Sequence, residues 1–125
     1  MAASYLTTIE VIAIHDVLID AFGGSHGVRD MGALESAIFR PQSGYYADEI
    51  SEAAALWESL MLNHAFIDGN KRTAVAAADA HLRLNGWVLD VDSGEAAIFI
   101  EELFRTPEMR IAWIEPWLRD RVHRH

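Results

Sequence analysis

A chain of 125 residues and 14.0 kDa has room for one ordinary domain, and its 51% apolar content excludes global disorder. The absence of cysteine excludes a disulfide framework, a thiol nucleophile and a cysteine-ligated zinc or iron–sulfur site. A net charge of −9 with a pI of about 4.9 argues against a partner such as nucleic acid or an anionic membrane surface.

Nine of the ten basic residues are arginine, and the one lysine is Lys71. Met1–Glu10 carries neither a positive start nor a sustained apolar stretch, so no targeting signal is expected. Apolar runs such as Ala96–Ile100 fall far below the roughly 20 residues that span a bilayer. A soluble cytoplasmic protein is the expectation. The tail Arg121–His125 alternates Arg and His and reads as a frayed, solvated end.

With many alanines, few prolines and long 3.6-residue periodicities, the pattern predicts a single all-α domain over residues 1–125. The first helix is expected from Thr8 to about Phe22, with Ile9, Ile12, Val17 and Ile19 as its apolar residues and Gly23-Gly24 as its stop. Asp30 reads as the N-cap of a short helix that ends near Arg40, since Pro41 disfavours helix before it. Gln42–Asp48 reads as a loop. The next helix is expected from about Ile50 to His64, with Ala53, Leu56, Trp57, Leu60, Met61 and His64 sharing one face. After the loop Ala65–Asn70 comes an alanine-rich, central helix from about Lys71 to Leu84, closed by Asn85-Gly86. Trp87–Val91 alternates like a short strand or extended link. Two last helices follow, Ser93–Phe104 and Pro107–Val122, with Ser93 and Thr106 as caps and Ile111, Ile114, Trp117 and Leu118 facing the core.

Residues 64–73, HAFIDGNKRT, form a net positive window inside an acidic protein. A glycine-bearing loop here enters a helix N-terminus, where unpaired backbone amides and the helix dipole favour an anion. Lys71 and Arg72 sit at the positive end of that dipole, which is unfavourable unless an anion binds between them. Phosphate is the natural ligand. His64, in phase with the buried face of its helix, supplies an imidazole suited to proton abstraction near neutral pH. Asp68 is a hard oxygen ligand for Mg²⁺ on nucleotide phosphates. Phe66 and Ile67, or one of them, would anchor the loop. The Walker-type spacing is absent.

Each element alone also has a plainer reading: a core histidine, a D-G-N turn, a Lys-Arg helix start. Their combination favours a site. Elsewhere, His15-Asp16 reads as a surface or half-buried pair, and His81 with Asn85 completes no zinc motif. Trp113 and Trp117 read as core or partner-contact aromatics. The loops carrying Arg29, Arg40 and Tyr45 are candidates to fold over the phosphate site.

The HAFIDGNKRT stretch resembles the signature loop of the Fic/Doc superfamily, H-x-F-x-[DE]-[GA]-N-[GK]-R. Lysine at 71 is similar to the Doc (death on curing) branch, where Fic adenylyltransferases carry glycine; a second arginine usual in Fic enzymes is Val75 here. The resemblance extends to GVRDMGALESA (27–37), RPQ (40–42) and LRLNG (82–86). It implies a compact all-α toxin of a toxin–antitoxin pair. Such a toxin is a protein kinase, moving the terminal phosphate of ATP or another nucleoside triphosphate to a threonine of elongation factor Tu and stopping translation. By the same resemblance His64 is the general base and Asp68 holds Mg²⁺. Gly69, Asn70, Lys71 and Arg72 bind the phosphates, and Phe66 anchors the loop. No [ST]-x-x-x-E-[GN] self-inhibitory pattern occurs, so a separate antitoxin is the expected restraint. Glycine lets phosphate approach the backbone closely, whereas lysine fills and recharges that space, so the nucleotide would sit differently. The alternatives are an adenylyltransferase using the same loop, and a catalytically silent binding module.

Overall fold

The computed structural model describes residues 3–106 and 110–125. It is all-α, as the composition predicts, apart from one small antiparallel pair of strands from distant parts of the chain. Helix α1 spans Thr8–Phe22. It starts in a capping box in which Glu10 N donates to Thr7 Oγ1 (3.2 Å) and Thr7 N to Glu10 Oε1 (2.9 Å), and it stops at Gly23. Its buried stripe is Val11, His15 and Ile19. The expected apolar face is corrected here: Ile9 and Val17 are 80% and 66% exposed.

Helix α2, Met31–Phe39, begins where Asp30 accepts from Ala33 N, as expected. The α-helix ends next to Arg40 as expected, although the residue before Pro41 does not turn extended. Arg40 keeps helical angles (φ −52°, ψ −47°), and a 3₁₀ turn, Arg40–Ser43, follows with Pro41 at its start, where no N–H is required.

Helix α3, Glu49–Leu62, is capped by Asp48 and is buried on nearly every side, not along one face. It ends before His64, so the predicted helical placement of His64 is also corrected. Helix α4, Asn70–Leu84, packs along α3, its Ala74, Ala77 and Ala78 fully buried. Small side chains on both helices (Ala53, Ala54 and Ala55 on α3) let the two backbones lie close. Trp57, Leu60, Phe66, Leu82, Leu103, Ile114 and Leu118 belong to the one core that α3 centres.

Strand β1, Trp87–Leu89, pairs antiparallel with β2, Val122–Arg124, in the register Trp87↔Arg124, Val88↔His123, Leu89↔Val122. The tail is therefore paired rather than frayed: His125 N donates to Gly86 O (2.9 Å), and the Arg124 guanidinium lies 3.9 Å from the Trp87 ring centroid. Helix α5, Ser93–Arg105, takes Asp92, not Ser93, as its cap. Thr106 ends α5 rather than opening the next helix, and Pro107 lies outside the described residues. Helix α6, Ile111–Arg119, has no local side-chain cap. Glu58 of α3 supplies one from a distance, accepting from Ile111 N at 2.6 Å. Ile114 and Leu118 face the core as predicted, and Trp117 stacks on Phe99 with centroids 4.4 Å apart. Among the described residues no helix is long and apolar enough to cross a membrane.

A buried polar cluster joins the N-terminal segment to this frame. Glu52 accepts from Tyr5 Oη (2.9 Å) and from His81 Nε2 (3.1 Å). Burial holds the His81 imidazole below its ordinary pKa, partly offset by Glu52, so it sits neutral in the folded chain. The unfolded chain takes up that proton first, so stability falls as pH drops below about 6.5 towards the lower folded value. Urea unfolding between about pH 7 and pH 5 is expected to show this loss, and His81→Gln, which keeps a donor for Glu52 but does not titrate, to reduce its slope.

Candidate active site

The signature loop crosses from α3 to α4 over the buried stripe of α1. It leaves α3 at Asn63, and His64 turns the chain with φ +51°, the one positive φ at a non-glycine among the described residues. Such a conformation stores about 1–3 kcal/mol and persists only where neighbours over-determine it. Here they do. Ala65 O accepts from Arg29 N (2.8 Å) and Asp30 N (3.0 Å), and Ile67 N donates to Gly27 O (3.1 Å), an antiparallel bridge of Val28 to Phe66. His64 itself is exposed. Packing does not fix its ring, contrary to expectation; the backbone on either side fixes its position.

Phe66 is the anchor and Ile67 is not: the first is 1% exposed, the second 58%. Asn70 fastens the turn with both ends of its amide. Its Oδ1 accepts from Phe66 N and its Nδ2 donates to Phe66 O, each at 3.0 Å. That is a loop clasp, so the side chain expected to hold phosphate is already engaged with the backbone. Asn70→Ala is expected to cost about 1–3 kcal/mol, because two backbone groups lose their partners; a denaturation midpoint measures it.

Gly69 stands at φ +73°, and a Cβ there would lie 3.1 Å from Ile19 Cδ1, so both the backbone angle and the closeness of α1 call for glycine. The ladder of α4 begins with Thr73 N to Gly69 O (3.0 Å), which leaves the N–H groups of Asn70, Lys71 and Arg72 without an acceptor inside the helix. The Asp68 carboxylate is exposed; Oδ1 accepts from Gly69 N (2.9 Å) and Oδ2 from Ser25 N (3.3 Å). Among the described residues no group of three or more His, Cys, Asp or Glu side chains is placed to hold a metal. A lone carboxylate with lone pairs to spare still fits Mg²⁺, which commonly keeps waters and takes its other ligands from phosphate.

Among the described residues, Lys71 and Arg72 rest on aromatic rings rather than on carboxylates. Lys71 Nζ is 4.3 Å from the Phe104 centroid and Arg72 Cζ 4.7 Å from that of Phe22. A ring orients a cation without cancelling its charge. Arg72 and Phe22 also border an open groove of about 550 Å³, walled by Leu18, Val75, Leu89 and Ile100.

Four residues that support the loop were not among the sequence candidates. His15, expected at the surface or half-buried, is 1% exposed beneath the loop: its Nε2 lies 2.7 Å from Asp68 O and its ring stacks on Phe66. The signal was its spacing from Val11 and Ile19. Gly24 and Ser25 flank Asp68, and a Cβ on Gly24 would fall 2.7 Å from Asp68 Oδ2. His26 tethers that segment to α1 between Asp16 (2.9 Å) and Asp20 (2.8 Å), which raise its pKa. Of the three outlying candidates, the segment of Arg29 does adjoin the loop. Arg40 instead bonds Tyr46, Ala55 O, Glu58 and Ser59, and Tyr45 is 85% exposed on the edge of Tyr46.

The Fic/DOC family model matches residues 5–82, and the chain belongs to that family. It is similar to "Toxin Doc" of Mycolicibacterium smegmatis, 49% identical over 84 residues, covering 60% of this chain and 65% of that protein's length. It is also similar to "Protein kinase doc" of Escherichia phage P1, 37% identical over 97 residues, covering 74% of this chain and 76% of that protein.

Proposed function

We propose that residues 1–125 form one Doc-type toxin domain that acts in the cytoplasm as a protein kinase. It transfers the γ-phosphate of ATP or a related nucleoside triphosphate to a threonine of elongation factor Tu, stopping translation until a cognate antitoxin restrains it. The observation that carries this reading is the α4 N-terminus. The N–H groups of residues 70–72 have no acceptor inside the helix, Lys71 and Arg72 lie in its first turn, an exposed His64 opens the loop that leads into it, and Lys71 stands where an adenylyltransferase would carry glycine. Val75, on the apolar groove wall, supplies no second guanidinium. The name "Protein kinase doc" of the phage relative supports the same chemistry.

In this mechanism His64 accepts the proton of the threonine hydroxyl as its oxygen bonds to the γ-phosphorus. The bond from that phosphorus to the β–γ bridging oxygen breaks, the nucleoside diphosphate leaves, and His64 passes its proton to water. The α4 amides, Gly69, Lys71 and Arg72 orient the phosphates and stabilise their charge, the main protein contribution in phosphoryl transfer. Asn70 acts by holding the loop shape. Asp68 would hold Mg²⁺, which neutralises phosphate charge when bound.

The test is the intact mass of elongation factor Tu after incubation with the protein, ATP and Mg²⁺. A gain of one phosphate is expected. A gain of a nucleotide, or no change, would overturn the reading.

A further inference from the structure

The stripe that α1 turns inward is apolar at Val11 and Ile19 and polar at His15 between them. Packing alone would be served by an aliphatic residue at 15, since a buried imidazole loses its hydration and gains nothing unless it is bonded. His15 is bonded to one group, the backbone carbonyl of Asp68, at 2.7 Å. A carbonyl only accepts, so Nε2 carries the hydrogen. Its other nitrogen, Nδ1, lies 3.8 Å from Asp16 Oδ1, beyond a hydrogen bond, and that oxygen is 2.9 Å from His26 Nδ1. The ring face is used as well: it lies parallel to Phe66, centroids 3.9 Å apart and planes 7° from coincident. The ring edge also lies under Gly69, whose added Cβ would be 3.6 Å from Nε2.

We propose that His15 is a positioning residue for phosphate transfer: the Nε2–H pins the Asp68–Gly69 peptide while the ring seats Phe66. The orientation of that peptide fixes three things at once. It aims Gly69 N at Asp68 Oδ1, it sets the direction in which α4 and its free amides begin, and it fixes both relative to His64 across the loop. A turned 68–69 peptide would leave Asp68 O unbonded over α1 and re-aim the phosphate cradle. This inference rests on the phosphotransfer reading of the loop.

Two variants separate the two uses of the ring. His15→Phe keeps the stack and removes the donor, whereas His15→Gln keeps a donor and removes the stack. His15→Leu, smaller and also without a donor, replaces the phenylalanine variant if that one overfills the site. Each is read by kcat and KM for ATP-dependent phosphorylation of elongation factor Tu, by thermal midpoint, and by hydrogen exchange at the amides of Ile67 and Thr73. The donorless variant is expected to fold, to lose about tenfold or more in kcat with little change in KM, and to exchange faster at both amides. His15→Gln is expected to recover most of the rate while melting lower. A donorless variant with wild-type kcat and exchange overturns the proposal. So does loss that follows the melting temperature, with the glutamine variant the worse of the two. If the wild-type protein transfers no phosphate, the kinase reading fails, and the exchange comparison alone then decides whether His15 holds the loop.

Discussion

Replacing His64 by alanine is expected to lower phosphate transfer by about 10²–10⁴-fold, the usual contribution of a positioned general base, without lowering thermal stability. The two halves of that expectation come from different observations. His64 is exposed and has no side-chain hydrogen bond among the described residues, so its imidazole contributes chemistry and almost no packing. Its backbone is held at φ +51° by the Arg29, Asp30 and Gly27 bonds on the loop, and alanine meets the same Cβ strain there as histidine. His64→Gly relieves that strain and should melt slightly higher while remaining as inactive. A transfer assay beside a thermal melt checks both. An alanine variant with wild-type transfer would remove His64 from the chemistry.

The second large effect is on stability. Phe66→Ala is expected to cost about 3–5 kcal/mol, the range for truncating a buried aromatic. The ring is 1% exposed, stacks on His15 and belongs to the core centred on α3. Its loss also unseats the peptide that Asn70 clasps, so the fraction that still folds should transfer phosphate poorly. Ile67→Ala, one residue on and 58% exposed, is the control and should change stability by no more than about 0.5 kcal/mol. Urea unfolding of both variants measures the contrast. Equal costs at 66 and 67 would contradict the assignment of the anchor.

Helix positions were legible wherever a short local signal decides them. Asp30, Gly23 and Asn85-Gly86 act on chain within a turn of themselves, and the α1, α2 and α4 boundaries follow from them. What was not legible depends on residues far apart in the chain. The pairing of Trp87 with Arg124 turns an unremarkable tail into a strand. Glu58 caps α6 across more than fifty residues, an arrangement no local pattern announces. Arg40 before a proline keeps helical angles with its N–H on Ser36 O, while its guanidinium bonds four partners that lie further along the chain.

The candidate site divides in the same way. Its contiguous part, His64 to Arg72, could be read directly because loop, glycine and helix start follow one another. Its support could not: His15 lies fifty-three positions from Asp68, and Gly24–Ser25 reaches the same carboxylate from the end of α1. Asn70 illustrates the limit within the motif itself. An amide at a phosphate loop suggests a ligand, yet its geometry makes it the fastener of the turn that aims the other groups.

The most direct measurement of the central claim uses ATP labelled at either its α- or its γ-phosphate. It is incubated with Mg²⁺, elongation factor Tu and either the wild-type protein or His64→Ala. Label from the γ-phosphate alone, lost in the variant, is the expected result. Label from the α-phosphate would contradict it and make the loop an adenylyltransferase. No transfer of either label, with toxicity in cells unaffected by His64→Ala, would contradict both enzymatic readings.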